Sequence, residues 1–330
     1  SKGTNIIMKL FIRQSLMAVV VLMGCTGIMK AADGDIFTAK STEGIEMTFK
    51  VISEADKTCQ LGNGYDICLT DNTVAGSMTI PASPNGYLVT MIGKKAFYME
   101  CTSLTTVSLP STVKIIGDYA FYGCSALKSV TLPDGLEEIG HDAFGETGLT
   151  SIALPASLTY IGSGAFSFSQ LTEVTIPGSV TTLFSGAFSN CEKLVKPTIG
   201  DGMTVIPSSL FSWCISLTTV SLPLTLRTIE HSAFSSTESL TELKVPEGVT
   251  AIYEATFYNS SLKKIWLPST LTTMKKVFQG CNVEEAVIAE GATDISYWFQ
   301  DCTQLKSISI PASVNTMTET FNGWTSLEKI

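Results

Sequence analysis

From Leu104 onward apolar and polar residues follow a pattern that returns at a fixed interval. The stretch from Leu104 to Cys124 reads LTTVSLPSTVKIIGDYAFYGC. The same arrangement returns as LKSVTLPDGLEEIGHDAF from Leu127, LTSIALPASLTYIGSGAF from Leu149 and LTEVTIPGSVTTLFSGAFSNC from Leu171, and again from Leu217, Leu240, Leu262 and Leu305. Set in register on the aromatic residue, the copies place Phe97, Phe121, Phe144, Phe166, Phe188, Phe211, Phe234, Phe257, Phe278, Phe299 and Phe321 at steps of 21 to 24 residues.

Within one copy the spacing predicts a short strand. Leu104, Val107 and Leu109 point inward, whereas Thr106 and Ser108 point outward onto a face that every copy shares. Proline then ends the strand (Pro110, Pro133, Pro155, Pro177, Pro223, Pro246, Pro268, Pro311), because it has no N–H for a further ladder bond. Val113, Ile116, Ala120, Phe121 and Cys124 form a second inward row, with Gly117 expected at a sharp turn. A single copy of about 22 residues cannot bury these side chains, so stacking on its neighbours makes the core.

A fixed period of this length carrying L-x-x-V-x-L is the leucine-rich-repeat signature. The recurring phrase I/L-P-x-S-V-T-x-I-G-x-x-A-F-x-x-C resembles the BspA-like leucine-rich-repeat family of gut and oral bacterial surface proteins. The resemblance runs from about Ser77 to Ile330. GIEMTFKVISEADKTCQLG, from Gly44 to Gly62, is similar to the strand segment that often precedes such arrays. It implies a secreted or cell-surface adhesion or interaction protein, and no catalytic residue. The expected fold is a mainly β repeat solenoid, with turns and short 3-10 segments. It is a right-handed coil with one parallel strand per repeat of about 22–23 residues, preceded by a small β cap.

The chain divides accordingly. Residues 1–7 precede the first Met and read as upstream sequence. Lys9, Arg13, the apolar run Leu16 to Met23 and the small residues after it make residues 1–32 a secretory signal peptide, too short in its apolar run to span a bilayer. Two cleavage readings stay open. Leu22-Met23-Gly24-Cys25 resembles a lipobox, which would lipidate Cys25, and cleavage near Ala31 or Ala32 is the ordinary secretory alternative. Residues 33–76 lack the repeat and are expected to form the β cap over the first coil. Residues 77–330 form the array of about eleven repeats, with an inserted turn at Asn85-Gly86, irregular copies at Pro197 and at Val283 to Ile288, and an expected truncation at Ile330.

Hydrophobic residues are 45% of the chain and charged ones 15%, which excludes disorder. The formal charge of −9 falls to −13 once the four basic residues of 1–32 (Lys2, Lys9, Arg13, Lys30) are set aside. Such a surface repels phosphate backbones, so nucleic acid is not an expected partner. The chain is expected to act as a monomer, without a cofactor, and to meet a membrane only through a lipid anchor.

The candidate chemistry is sparse. Of nine cysteines, Cys124, Cys191, Cys214, Cys281 and Cys302 fall three residues after the repeat Phe, and Cys101 four after. They are expected to be free, buried thiols that pack as small hydrophobes. Cys59 and Cys68, nine apart across Gly62-Asn63-Gly64 in a secreted protein, are either a disulfide or two thiols. Zinc is not expected, because clustered ligand spacing is absent. His141 and His231 both lie three before a repeat Phe, in copies four apart and so about 20 Å apart along the stack, too far to share an active site. No hydrolase, metalloprotease, Walker or dinucleotide motif occurs.

The outward strand position reads Ser108, Thr131, Ala153, Thr175, Thr198, Ser221, Lys244, Trp266, Val287, Ser309. Small hydroxyl residues dominate until Trp266, which stands among Lys244, Lys264, Glu242 and Glu285. A tryptophan among charges has the composition of an interface hot spot; the alternative is that Trp266 only packs on a lysine stem. The sequence thus points to a non-enzymatic extracellular scaffold whose strand face binds a protein or glycan. Two other readings stay open: the targeting arm of a surface enzyme whose catalytic module lies beyond Ile330, and a structural spacer.

Overall fold

The computed structural model describes residues 31–64, 68–69, 74–99, 101–274 and 276–330. Residues 1–30, which carry most of the expected signal peptide and Cys25, lie outside them. Residues 33–330 form one unit, a β-solenoid with almost no helix.

Its core is a column of phenylalanine rings. Phe97, Phe121, Phe144, Phe166, Phe188, Phe211, Phe234, Phe257, Phe278 and Phe299 are buried, and each ring stacks on the next with centroids 4.8–6.1 Å apart. That step is the spacing of hydrogen-bonded strands, so ring stacking and backbone pairing set the same pitch. Phe321 leaves the column: it is 40% exposed and packs edge to face on Trp324, its one ring partner among the described residues.

The strand before the proline forms as the alternation predicts ahead of Pro110, Pro133, Pro177, Pro246, Pro268 and Pro311. The expectation of one strand per repeat fails ahead of Pro155, where no strand forms, and ahead of Pro223, where only a bridge at Ser221 pairs. In Leu104–Ser108 the first and fourth residues are buried and Thr105 and Ser108 exposed. These strands pair in parallel, in register apart from a shift between Gly76 and Ser77, and in three groups: Gly76–Thr79 to Ser129–Thr131, Glu173–Ile176 with Lys196–Ile199, and Glu242–Lys244 to Ser307–Ser309. Neither irregular copy ends its strand. Pro197 is buried within Lys196–Ile199, and VEEAVI contributes the paired strand Glu285–Ile288.

A second wall comes from residues around the I-G position. Two-residue strands such as Ile115–Ile116, Glu138–Ile139 and Tyr160–Ile161 extend one eight-stranded sheet, which begins with the antiparallel strands Ile36–Lys40, Glu46–Ser53 and Thr58–Leu61. Thr58–Leu61 pairs in parallel with Leu88–Ile92, so the N-terminal strands and the coils share that sheet.

The glycine here serves a purpose other than the one its sequence suggests. Gly117 lacks a left-handed backbone, but a Cβ on it would lie 2.8 Å from Lys94 N, and one on Gly162 would lie 2.5 Å from His141 N. Glycine lets successive coils approach at this wall. The sharp bends fall instead two residues before and two after each ladder Phe: φ is +56° at Tyr119 and +74° at Gly123 around Phe121, and +58° at Ser209 and +62° at Trp213 around Phe211. Their N–H groups donate to the following coil (Tyr119 to His141 O at 2.8 Å, Trp213 to Ser235 O at 2.9 Å), which holds non-glycine residues in a conformation they otherwise avoid.

The motif's hydroxyl position, two after the proline, also ties coils together. Thr112, Ser157, Ser179, Thr225 and Thr270 donate to the carbonyls of Val89, Leu136, Leu158, Met203 and Val249 in the preceding coil, at 2.5–2.8 Å.

Candidate interaction surface

The parallel register places the outward strand residues in two rows. Ser108 stands beside Thr131, Thr175 beside Thr198 and Thr198 beside Ser221; in the neighbouring row Glu173 stands beside Lys196. With adjacent strands about 4.8 Å apart, the result is a flat hydroxyl array with an embedded charge pair.

The five residues singled out around the tryptophan are brought together. Glu242 lies beside Lys264 and Lys264 beside Glu285; Lys244 lies beside Trp266, and Trp266 beside Val287. Trp266 is half-buried, with Lys264 Nζ 4.8 Å from its ring centroid and 2.6 Å from Glu285 Oε1. The lysine therefore covers part of the ring, a contribution of order 0.5–1 kcal/mol at an exposed site. The exposed ion pair adds little to stability.

A concavity interrupts the array where the sequence shows a regular copy. Residues 151–154 pair as a strand with neither Ser129–Thr131 nor Glu173–Ile176. An open hollow of about 500 Å³ lies there, lined among others by Ser151, Ala153, Glu173, Thr175, Lys196 and Thr198. Small side chains floor it and one carboxylate and one ammonium flank it.

The eight described cysteines are buried and unbridged. The disulfide considered for Cys59 and Cys68 is absent. Cys59 points inward from its strand and its thiol reaches Tyr87 O at 3.6 Å, while Cys68 docks on the next coil through its N–H to Ala96 O at 2.8 Å. Cys124, Cys191 and Cys214 each direct the thiol to the carbonyl of a ladder Phe in an earlier coil, at 3.2 Å. Burial pushes the thiols of Cys59, Cys191 and Cys302 up to about 12, so these are inert packing groups.

The histidines belong to different clusters. His141 is a link between coils: Nδ1 accepts the Ser163 N–H at 2.9 Å, Nε2 meets Tyr160 Oη at 3.1 Å, and Phe184 packs edge to face on the ring. His231 is exposed and stacks on Tyr253 at 5.2 Å. Among the described residues no group of three His, Cys, Asp or Glu side chains could hold a metal ion, and no helix is long and apolar enough to cross a membrane.

Sequence reasoning missed the most exposed large aromatics. Trp213 is 54% and Phe168 51% exposed, both two residues past a ladder Phe. In most other copies that position carries glycine, serine, charge or amide, with Met99 the exception in the first, so no regular apolar period marks it.

This geometry defines a class: a parallel β-solenoid of leucine-rich coils, a repeat scaffold with an extended polar face. Residues 90–218 and 204–328 match the family described as BspA type leucine rich repeat region, in six copies. The chain belongs to this family. It is similar to the solved structure of a leucine-rich repeat protein from Bacteroides ovatus, with 25% identity over 88% of this chain and 81% of that one and a TM-score of 0.63. It also resembles a leucine-rich repeat protein from T. pallidum, with 30% identity over 62% of this chain and 87% of that one and a TM-score of 0.51. Among curated proteins none matches the chain.

Proposed function

We propose that the chain is a non-enzymatic binding scaffold, secreted or held at the outer cell surface, that engages an extracellular protein or glycan through its strand face. The observation that carries this reading is the register of that face. Outward hydroxyl groups stand side by side where the strands pair, and the same outward position further along carries a half-exposed tryptophan with Glu242, Lys244, Lys264 and Glu285 around it. An extended partner can touch many coils at once, with a few aromatic and charged anchors supplying most of the affinity. The basic and apolar leader of residues 1–32 supports export, and a lipid on Cys25 would retain the protein at the membrane.

Binding of the purified protein to immobilised extracellular-matrix proteins and glycans, beside a Trp266→Ala variant, tests this. A ligand whose affinity falls about tenfold on that substitution is the expected result. A protein that binds nothing on the panel, or whose binding ignores every strand-face substitution, overturns the reading and leaves the coils as a spacer.

A further inference from the structure

We propose a second binding site, distinct from the strand face: the edge formed by Phe168, Asn190 and Trp213 takes a neutral, extended β-linked polysaccharide chain lying along the stack. The three residues occupy the same position in consecutive coils, two past Phe166, Phe188 and Phe211. Their backbones are left-handed, with φ of +58°, +58° and +62°. Other coils carry there glycine (Gly123, Gly280, Gly323), amide or acid (Asn259, Asp301, Glu146), Ser236 and, in the first, the unbranched Met99, and glycine and amide are what that conformation favours. Bulky aromatic side chains are the least suited to it, and here they gain little burial in return.

The fold does not need these rings. What holds the local backbone is the set of N–H bonds to the next coil, Phe168 to Ser189 O at 3.0 Å, Asn190 to Ser212 O at 2.8 Å and Trp213 to Ser235 O at 2.9 Å, which any residue except proline could make. Two strained, exposed aromatics in alternate coils are a pattern that packing does not explain.

Spacing identifies the ligand class. The buried rings two residues earlier step by 5.1 and 6.1 Å from coil to coil, so the exposed rings stand roughly 10 Å apart, two coil spacings. That is about the length of a disaccharide unit in an extended β-1,4-linked chain, whose pyranose rings present apolar C–H faces suited to an aromatic platform. Asn190 lies between the platforms, and neither its amide nor the Trp213 indole N–H has a hydrogen-bond partner among the described residues. Both can pair with sugar hydroxyls.

Charge narrows the class further. A net of −13 past the leader, with Glu146 and Glu192 exposed near this edge, disfavours sulfated or uronic acid chains. A protein partner fits poorly, since the two rings are separated by an amide and flanked by serines (Ser189, Ser212) instead of forming one apolar patch.

The test is titration of the full protein with cellohexaose and chitohexaose, followed by calorimetry and tryptophan fluorescence, with maltohexaose and cellobiose as controls. Expected are binding of at least one β-1,4 hexasaccharide with a change in tryptophan emission, weak or absent binding of both controls, and about a fivefold loss in each of Phe168→Ala and Trp213→Ala. Trp266→Ala retains this binding even if it abolishes a strand-face ligand, which separates the two sites. The proposal is overturned if neither hexasaccharide binds, if maltohexaose or cellobiose binds equally well, or if Phe168→Ala and Trp213→Ala, shown folded by circular dichroism, bind as the native protein does.

Discussion

Truncating one ring in the middle of the aromatic column gives the most direct check on how the coils are held. Phe188 is fully buried between Phe166, at 5.1 Å and nearly parallel, and Phe211, at 6.1 Å. Phe188→Ala removes a buried ring, about 3–5 kcal/mol in tightly packed cores. It also removes two stacking contacts of about 0.5–1.5 kcal/mol each, part of which is already in that figure. The expected loss is about 4–5 kcal/mol. Phe321→Ala removes a ring that is 40% exposed and packs edge to face on Trp324 outside the column, so the loss there is about 1 kcal/mol. Urea unfolding followed by circular dichroism reads both values. Because each coil touches only its neighbours, hydrogen exchange in Phe188→Ala should accelerate first in the coils from Phe166 to Phe211. A loss below about 2 kcal/mol, or one no larger than that of Phe321→Ala, would refute the reasoning that the column sets the stability.

Three further outcomes are expected. Gly162→Ala places a methyl 2.5 Å from His141 N and 2.6 Å from Gly140 C, so it should cost about 2 kcal/mol by forcing two coils apart; an unchanged melting temperature shows that the wall can yield. The native protein at pH 8 should resist alkylation at its buried thiols until unfolded, and reductant should leave the melting temperature unchanged; a drop with reductant means a disulfide is present. Glu43 accepts the Thr79 N–H at 3.1 Å, which lowers its carboxyl from 4.5 to about 2. A folded value below the unfolded one gives stability that is present above pH 4.5 and lost as pH falls toward 2. Glu43→Gln should flatten that part of the acid unfolding curve, and an identical curve would show that the contact contributes nothing.

Much of the surface was legible because it depends on alternation within one strand. That Ser108, Thr131, Thr175 and Ser221 share an outward face follows from a two-residue period, and the cluster of Trp266 with its four charged neighbours follows from equal spacing in adjacent copies. How Lys264 covers Trp266 did not follow, since a long flexible side chain chooses between solvent and ring only once both are in place. Trp213 and Phe168 escaped notice for a different reason. Their position is a bend, and bends carry no apolar period.

The sequence by itself determined the coil: its period, its inward rows, its proline stops and the aromatic column, all of which are spacings along one covalent chain. Only the tertiary structure decided what depends on the distance between coils. It showed that Gly117 and Gly162 serve close approach, that the motif's Ser or Thr bonds the preceding coil, that Cys59 and Cys68 stay apart as thiols, and that the strand face opens at residues 151–154. Each of these rests on contacts between residues about 22 positions apart, where a fraction of an ångström separates a hydrogen bond from a clash, and no pattern within a single repeat carries that information.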